Sequence, residues 1–318
     1  MAMEHAVEVE AVGRTFPISG GKQLQALEDV SFVVGLGEVV GLLGVNGAGK
    51  TTLTKILATL LLPSSGAARV MGYDVVADTR GVRTSMSVIL GGDRGLYNRI
   101  SGRENLAFFG MLAGVSRRDL RERIPLMLDQ VNLADAADRR VETYSKGMRQ
   151  RLHVAIGLLS RPQVLLLDEP TVGLDPLEAD RLRETIHQLR REGTSILLTS
   201  HLLLDVERLA DRVVMLDQGR VTADLPLRKF AGLAGYAAVV TLTYRGALDL
   251  ARSLPAGAAV DRHTHEGELS TLVLKLREWS GDLFGALGRL VDDVQIQDID
   301  VRPARLEEAF ATLSARRP

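Results

Sequence analysis

Residues Gly44-Val45-Asn46-Gly47-Ala48-Gly49-Lys50-Thr51 have the composition of a phosphate cradle. Glycines let backbone N–H groups approach phosphate oxygens with no Cβ in the way. The lysine and threonine that close the run add a cation and a metal-binding hydroxyl. The spacing is G-x-x-x-x-G-K-[ST], and its surroundings fit. An apolar run, Val39 to Leu43, precedes it, and Leu53, Ile56, Leu57, Leu60 and Leu61 follow at helical spacing until Pro63 and Gly66. Strand, glycine loop and helix are the context that such a loop requires, and the helix N-terminus contributes partial positive charge. On this reading Lys50 reaches the β- and γ-phosphates of ATP and Thr51 ligates Mg²⁺. Gly44, Asn46, Gly47, Ala48, Gly49 and Thr52 complete the cradle. A bare glycine turn with a solvated lysine is the plainer alternative, and the flanking strand and helix weigh against it.

Four further places carry candidate chemistry. Asp168 and Glu169 end the apolar run Val164-Leu165-Leu166-Leu167. In open α/β sheets ligands sit at the carboxyl ends of strands, so Asp168 can hold Mg²⁺ and Glu169 can orient and polarise an attacking water. Read alone, the pair is a helix cap or a solvated turn; the glycine loop reverses that reading. His201 follows the strand Ser195 to Thr199. In a parallel sheet it faces the same edge as Lys50 and Glu169, within reach of the γ-phosphate, although a lone His in such a place is commonly structural. Ser145, Lys146 and Gly147 open a helix. They offer backbone donors to an anion, or simply an N-cap by Ser145, and both roles are compatible. Phe16 near the first strand can stack on adenine or pack as an ordinary Phe.

The elements that must position these groups follow from patterning. Val7, Val9 and Ala11 alternate with Glu8 and Glu10 as a half-exposed strand, and Val30 to Val34 forms another. Residues 70–92 read as irregular strands broken by glycines. From Ser101 the chain turns helical, with Ser101 and Glu104 as a capping box and a second helix from Arg117 to Val131. Leu96, Tyr97, Phe108 and Phe109 pack this insertion, which covers about residues 93–162. A helix near 176–191, a second near 202–209 and a hairpin around Gly219 follow. From about residue 226 the motifs stop. The predicted order βαββαβ, with Ala247 to Leu254 and Leu283 to Val291 as helices and Leu306 to Leu313 as a closing helix, indicates a small ferredoxin-like α+β domain over 226–318.

Composition narrows the class. Of 318 residues 46% are hydrophobic and 25% charged, which suits a globular protein with a sizeable core. The formal net charge of −1 gives no overall basic field for nucleic acid. The lack of cysteine excludes disulfides and Cys-ligated metals. The N-terminal residues have no basic and apolar leader pattern, and no uninterrupted apolar stretch approaches the ~18 residues that span a bilayer. Work at a membrane therefore requires a partner.

In their order, these segments resemble the nucleotide-binding subunit of ATP-binding cassette (ABC) transporters over about residues 4–225. The glycine loop at 44–51 looks like Walker A and 164–169 like Walker B. Tyr144-Ser145-Lys146-Gly147-Met148 resembles the signature, Gly173-Leu174-Asp175 a D-loop, and His201 the switch histidine. The resemblance implies an α/β P-loop NTPase (RecA-like) core within residues 1–225, an N-terminal antiparallel β subdomain and a helical subdomain. It also implies ATP hydrolysis with Mg²⁺, a head-to-tail pairing with a second ATPase subunit, and a membrane permease. Ser145 and Gly147 of one subunit would cover the nucleotide of the other. The implied location is the cytoplasmic face of the cell membrane. Arg305-Leu306-Glu307-Glu308-Ala309-Phe310 is similar to the ending found in drug, polyketide and lipid exporters. Two departures stand out. The signature differs from Leu-Ser-Gly-Gly-Gln at its first, third and fifth positions, and the glutamine that links metal to the permease falls at Gly92, leaving Asp93 or water in that place. Soluble ABC ATPases of ribosomes or DNA repair are a rival class, but they carry two cassettes or long coiled coils, which this chain lacks.

Overall fold

A computed structural model describes residues 4–18, 20, 22–90, 95–200, 202–248, 250, 254–278, 281–292 and 294–315. The chain divides into two compact units, Met1–Pro226 and Leu227–Pro318.

The first unit contains two sheets. The antiparallel one has the order β2-β1-β4-β5, from β1 (His5–Pro17), β2 (Gln23–Gly35), β4 (Ser65–Val70) and β5 (Tyr73–Asp74). The other has the order β10-β9-β3-β8-β7-β6, from β3 (Val39–Leu43), β6 (Met86–Leu90), β7 (Val164–Asp168), β8 (Ser195–Thr199), β9 (Arg212–Asp217) and β10 (Arg220–Pro226). Its strands run parallel except for β10, which returns antiparallel to β9. Both faces of its central strands are covered, so β3, β7 and β8 read as nearly continuous apolar runs without alternation. Helix α1 (Lys50–Leu57) leaves the glycine loop and buries Leu53, Ile56 and Leu57 in a core shared with β1, β2 and β4.

The register decides the site. β3 lies between β8 and β9, and β8 lies between β3 and β7. The carboxyl ends of β3, β8 and β7, which carry the glycine loop, Thr199 and Asp168, are therefore adjacent. Gly41 in β3 permits the close approach of a later helix, since a Cβ there would meet Val206 Cγ1 at 2.6 Å.

Residues 79–85 correct the sequence reading. Where irregular strands are expected over 70–92, the chain forms α2 (Thr79–Ser85), capped by Asp78, whose Oδ1 accepts the Gly81 N–H at 2.8 Å. The helix gives no apolar stripe, because Val82 is its one buried large hydrophobe, and only the cap signals it.

The helical insertion comprises α3 (Gly102–Leu112), α4 (Arg117–Gln130) and α5 (Lys146–Leu158). The Ser101 capping box forms, with Ser101 Oγ accepting from Glu104 N at 3.2 Å and Glu104 Oε2 accepting from Ser101 N at 2.7 Å. Asn105 is fully buried and bonds both backbone groups of Tyr97, whose ring meets Phe108 edge-on at 4.8 Å. The unit continues through α6 (Pro176–Arg191) and α7 (Leu203–Leu209).

The second unit begins with a short helix, α8 (Leu227–Ala231), which the sequence did not signal. Its antiparallel sheet has the order β12-β13-β11-β14, from β11 (Ala238–Arg245), β12 (Ala258–Glu266), β13 (Leu269–Leu276) and β14 (Gln295–Pro303). With the helix Gly281–Val291 between β13 and β14, this is the strand arrangement of a ferredoxin-like fold. Val240, Leu242, Tyr244, Leu272, Leu274 and Leu276 form its core with Leu283 and Leu290. The closing helix, Leu306–Ala315, buries Leu306 and Ala309, and its Glu308 pairs with Arg302 at 2.8 Å. Half of the helix expected over 247–254, residues 249 and 251–253, falls outside the described residues.

Candidate functional site

The glycine loop leaves β3 and enters α1 with no side chain capping the helix, so the first-turn N–H groups point outward. Gly47 and Gly49 have φ of 83° and 105°, conformations that side chains rarely adopt. At Gly49 a Cβ would also strike Ala26 O at 2.6 Å and Leu27 Cδ2 at 2.7 Å, whereas at Gly47 it would meet nothing within 4 Å. One glycine is thus demanded by packing and the other faces open space, as a loop shaped around a ligand requires.

Lys50 is 9% exposed, and its Nζ donates to Gly44 O at 2.6 Å and Val45 O at 3.1 Å. Burial pulls its pKa below the ordinary lysine value, and the nearby charges of Glu169 and Asp168 oppose that pull. Among the described residues its hydrogen bonds go to neutral carbonyls of its own loop, which it can exchange for an anion.

A cavity of about 480 Å³ is lined by Phe16, Asn46 to Thr52, Asp168 and Glu169, together with Leu24, Gln25 and Ala26. Gly44, expected in the cradle, does not line the cavity; its carbonyl accepts from Lys50. Phe16 is half-buried, and the Arg14 guanidinium lies 4.6 Å from its ring centroid, so the ring belongs to the cavity wall and not to the core. Asp168 Oδ1 accepts a hydrogen bond from Thr199 Oγ1, and Glu169 N–H donates to Thr199 O at 2.9 Å. Glu169 has φ of 51°, a left-handed turn that costs a non-glycine residue roughly 1–2 kcal/mol. Thr199 was missed as a site residue by sequence reasoning. Its strand was legible, but the pairing of β8 with β7 that places it opposite Asp168 was not.

Not every sequence-predicted residue reaches this cavity. Ser145 and Gly147 lie at the start of α5, and neither lines it. Ser145 Oγ accepts the Met148 N–H at 3.1 Å as a simple N-cap. His201, Gly92 and Asp93 lie outside the described residues. A second, larger groove of about 1420 Å³ runs from Thr51 and Asp168 past Arg83 and Phe109 to Arg123 and His153.

The site suits a nucleotide and a hard cation. The loop supplies backbone donors and a buried lysine, while the Thr51 hydroxyl and the Asp168 carboxylate are the oxygen donors that such a cation takes. Among the described residues no three His, Cys, Asp or Glu side chains gather as a metal cage, so a cation would share its coordination with phosphate oxygens or water. Fold and site together define a P-loop nucleotide-binding protein.

Comparison with known proteins narrows this class. Residues 27–172 match the family model described as "ABC transporter". The chain is 43% identical over 219 residues to the doxorubicin resistance ATP-binding protein DrrA of Mycobacterium tuberculosis, covering 69% of this chain and 65% of that relative. It is 35% identical over 315 residues to the daunorubicin resistance ATP-binding protein DrrA2 of Streptomyces coeruleorubidus, covering 98% and 96%. A solved structure titled as the ATP binding subunit of an ABC transporter is 32% identical with a TM-score of 0.62, over 71% of this chain and 91% of that one. The chain belongs to the ATP-binding proteins of ABC transporters. No helix among the described residues is long and apolar enough to cross a membrane.

Proposed function

We propose that this chain is the ATP-hydrolysing subunit of an exporter, acting on the cytoplasmic face of the cell membrane through a separate membrane-spanning permease. On this reading residues 1–225 are the nucleotide-binding domain and 226–318 an accessory domain. Two such subunits, in the simplest case two copies of this chain, pair so that Ser145 and Gly147 of one cover the nucleotide held by the other. The names of the relatives, which refer to doxorubicin and daunorubicin resistance, support export as the direction of transport.

The single observation that carries the proposal is the cavity in which Lys50, Thr51, Asp168 and Glu169 converge. The backbone N–H groups and Lys50 hold the phosphates, and Phe16 lies against the base. Thr51 and Asp168 would hold Mg²⁺, which when bound neutralises charge on the transferring phosphoryl group. Glu169 orients and polarises the attacking water, and His201 is the residue assigned to the γ-phosphate. Phosphoryl transfer needs positioning and charge stabilisation more than covalent chemistry, and these residues supply both.

The test is Glu169→Gln. The variant should bind ATP as the wild type does, lose on the order of 10²-fold or more in turnover, and accumulate as a dimer when ATP is present. Gel filtration with ATP showing monomer alone, or turnover near wild type, would refute the assignment.

A further inference from the structure

Near the strand ends that carry the site, in the segment after β8, lies a buried carboxylate that nothing above employs. Asp205, in the first turn of α7, is 0% exposed. Its Oδ1 accepts two hydrogen bonds from Arg183 of α6, from Nε at 2.8 Å and Nη2 at 2.7 Å. Its Oδ2 accepts from the Thr171 hydroxyl; Ser200 Oγ lies 3.4 Å from the same oxygen but donates to the nearer Leu202 O at 3.1 Å. Thr171 is 2% exposed and Ser200 0%.

The partners come from separate segments. Thr171 sits two residues after Glu169, in the turns that leave β7, where Leu174 N–H bonds Thr171 O at 3.1 Å. Ser200 follows Thr199, the last residue of β8, and directly precedes His201. β7 and β8 are hydrogen-bonded neighbours. One carboxylate thus ties the loop that leaves the acid-bearing strand to the first turn of α7, and Arg183 anchors that carboxylate to the helix following the same loop.

A buried ion pair is a poor device for stability alone, because well-packed apolar residues of the same volume commonly serve as well or better. Apolar residues could not accept the hydroxyl of Thr171. We infer that Asp205 is a positioning residue for ATP hydrolysis: with Arg183 it fixes the loop that leaves β7 through Thr171, and so sets where Glu169 stands relative to the phosphates. This inference rests on the ATPase reading given above.

The test compares three variants of the whole chain by ATP turnover, KM for ATP and thermal unfolding. Asp205→Asn should lower kcat by roughly tenfold or more, since displacements of about 1 Å cost up to 10²-fold, with KM within about threefold of wild type. Thr171→Val keeps the ion pair and removes one tie; it should lower kcat with a small change in Tm. The double variant Asp205→Leu with Arg183→Met should recover much of the Tm lost in Asp205→Asn while kcat stays low. Full kcat in the double variant would reduce the cluster to packing and overturn the inference, as would wild-type kcat in both Asp205→Asn and Thr171→Val. A wild-type chain that hydrolyses no ATP would overturn the ATPase reading along with it, whereas normal ATP hydrolysis that is insensitive to all three variants removes the positioning role alone.

Discussion

Replacing Gly147 by alanine should destabilise the nucleotide-free protein, although Gly→Ala in a helix ordinarily does the opposite. Gly147 lies in the first turn of α5 and is buried. A Cβ at this position would stand 2.6 Å from Glu178 Oε2, 2.7 Å from Cγ and 2.8 Å from Cδ. Glu178 must therefore move, and it is the ion-pair partner of Arg151, with Nε 3.1 Å from Oε2 and side chains 5% and 14% exposed. Breaking a buried pair outright costs about 3–5 kcal/mol. Here the loss is smaller. Arg151 keeps Val131 O and Asn132 O, both at 2.9 Å, and Glu178 keeps Arg181 at 3.1 Å. The Arg151–Glu178 contact also has long hydrogen-bond geometry, 3.4 Å from Nη2 to Oε1. About 2 kcal/mol of loss against a helix-propensity gain of about 1 kcal/mol leaves about 1 kcal/mol net. For a unit spanning Met1–Pro226, that is a fall in Tm of roughly 2–4 °C. Differential scanning calorimetry without nucleotide measures it. In a Glu178→Ala background the obstacle is gone, and the same glycine substitution should become stabilising by about 1 kcal/mol. A Tm that is unchanged or raised by Gly147→Ala in the parent protein would refute this reasoning and leave only a phosphate-facing reason for glycine.

Two pH-dependent outcomes complete the set. Burial lowers the Lys50 pKa against the opposing pull of Glu169 and Asp168, and a bound triphosphate favours the charged form. Binding of a non-hydrolysable ATP analogue should therefore take up protons at alkaline pH, and its affinity should weaken from below the ordinary lysine value of 10.5; calorimetric titration in two buffers of different ionisation heat reads the uptake, and its absence contradicts the assigned environment. At Glu38, burial would raise the carboxyl, but Arg212 and the Gly35 N–H outweigh it and hold the pKa below its ordinary 4.5. A carboxylate depressed on folding contributes stability that is complete above its unfolded value and is lost as pH falls through the folded one. Glu38→Gln should cost roughly 1–2 kcal/mol at neutral pH and little in acid below the folded value, as read by urea midpoints; a deficit independent of pH would count against the Glu38–Arg212 contact.

What could be read in the sequence was chemistry held within one short segment. The glycine loop declares itself because its donors, its lysine and its helix are contiguous from Gly44 to Leu57. The ferredoxin-like unit was legible because its strand and helix signals follow the order βαββαβ, with Val240, Leu242 and Tyr244 and then Leu272, Leu274 and Leu276 recurring at every second position. Contacts between distant segments were not legible. Nothing in residues 195–199 alone says that Thr199 will meet Asp168, because that follows from strand order. Gly147 shows the same limit: its spacing suggested a ligand, while its crowding against Glu178 depends on how α5 meets α6. The helix Thr79–Ser85 was missed for a third reason, since so short an element with one large apolar residue has no period to detect.

The position of β14 at one border of the second unit's sheet has a consequence for self-association. A border strand presents unpaired N–H and C=O groups along its outer side, a ready template for another chain. Asp298 and Asp300 flank Ile299 in this strand, and all three are exposed. If two copies met there antiparallel with Ile299 opposite itself, Asp298 of each would face Asp300 of the other. Like charges directly opposed across a ladder repel, so this register of fibre-like growth is disfavoured by two carboxylates that take no part in the core.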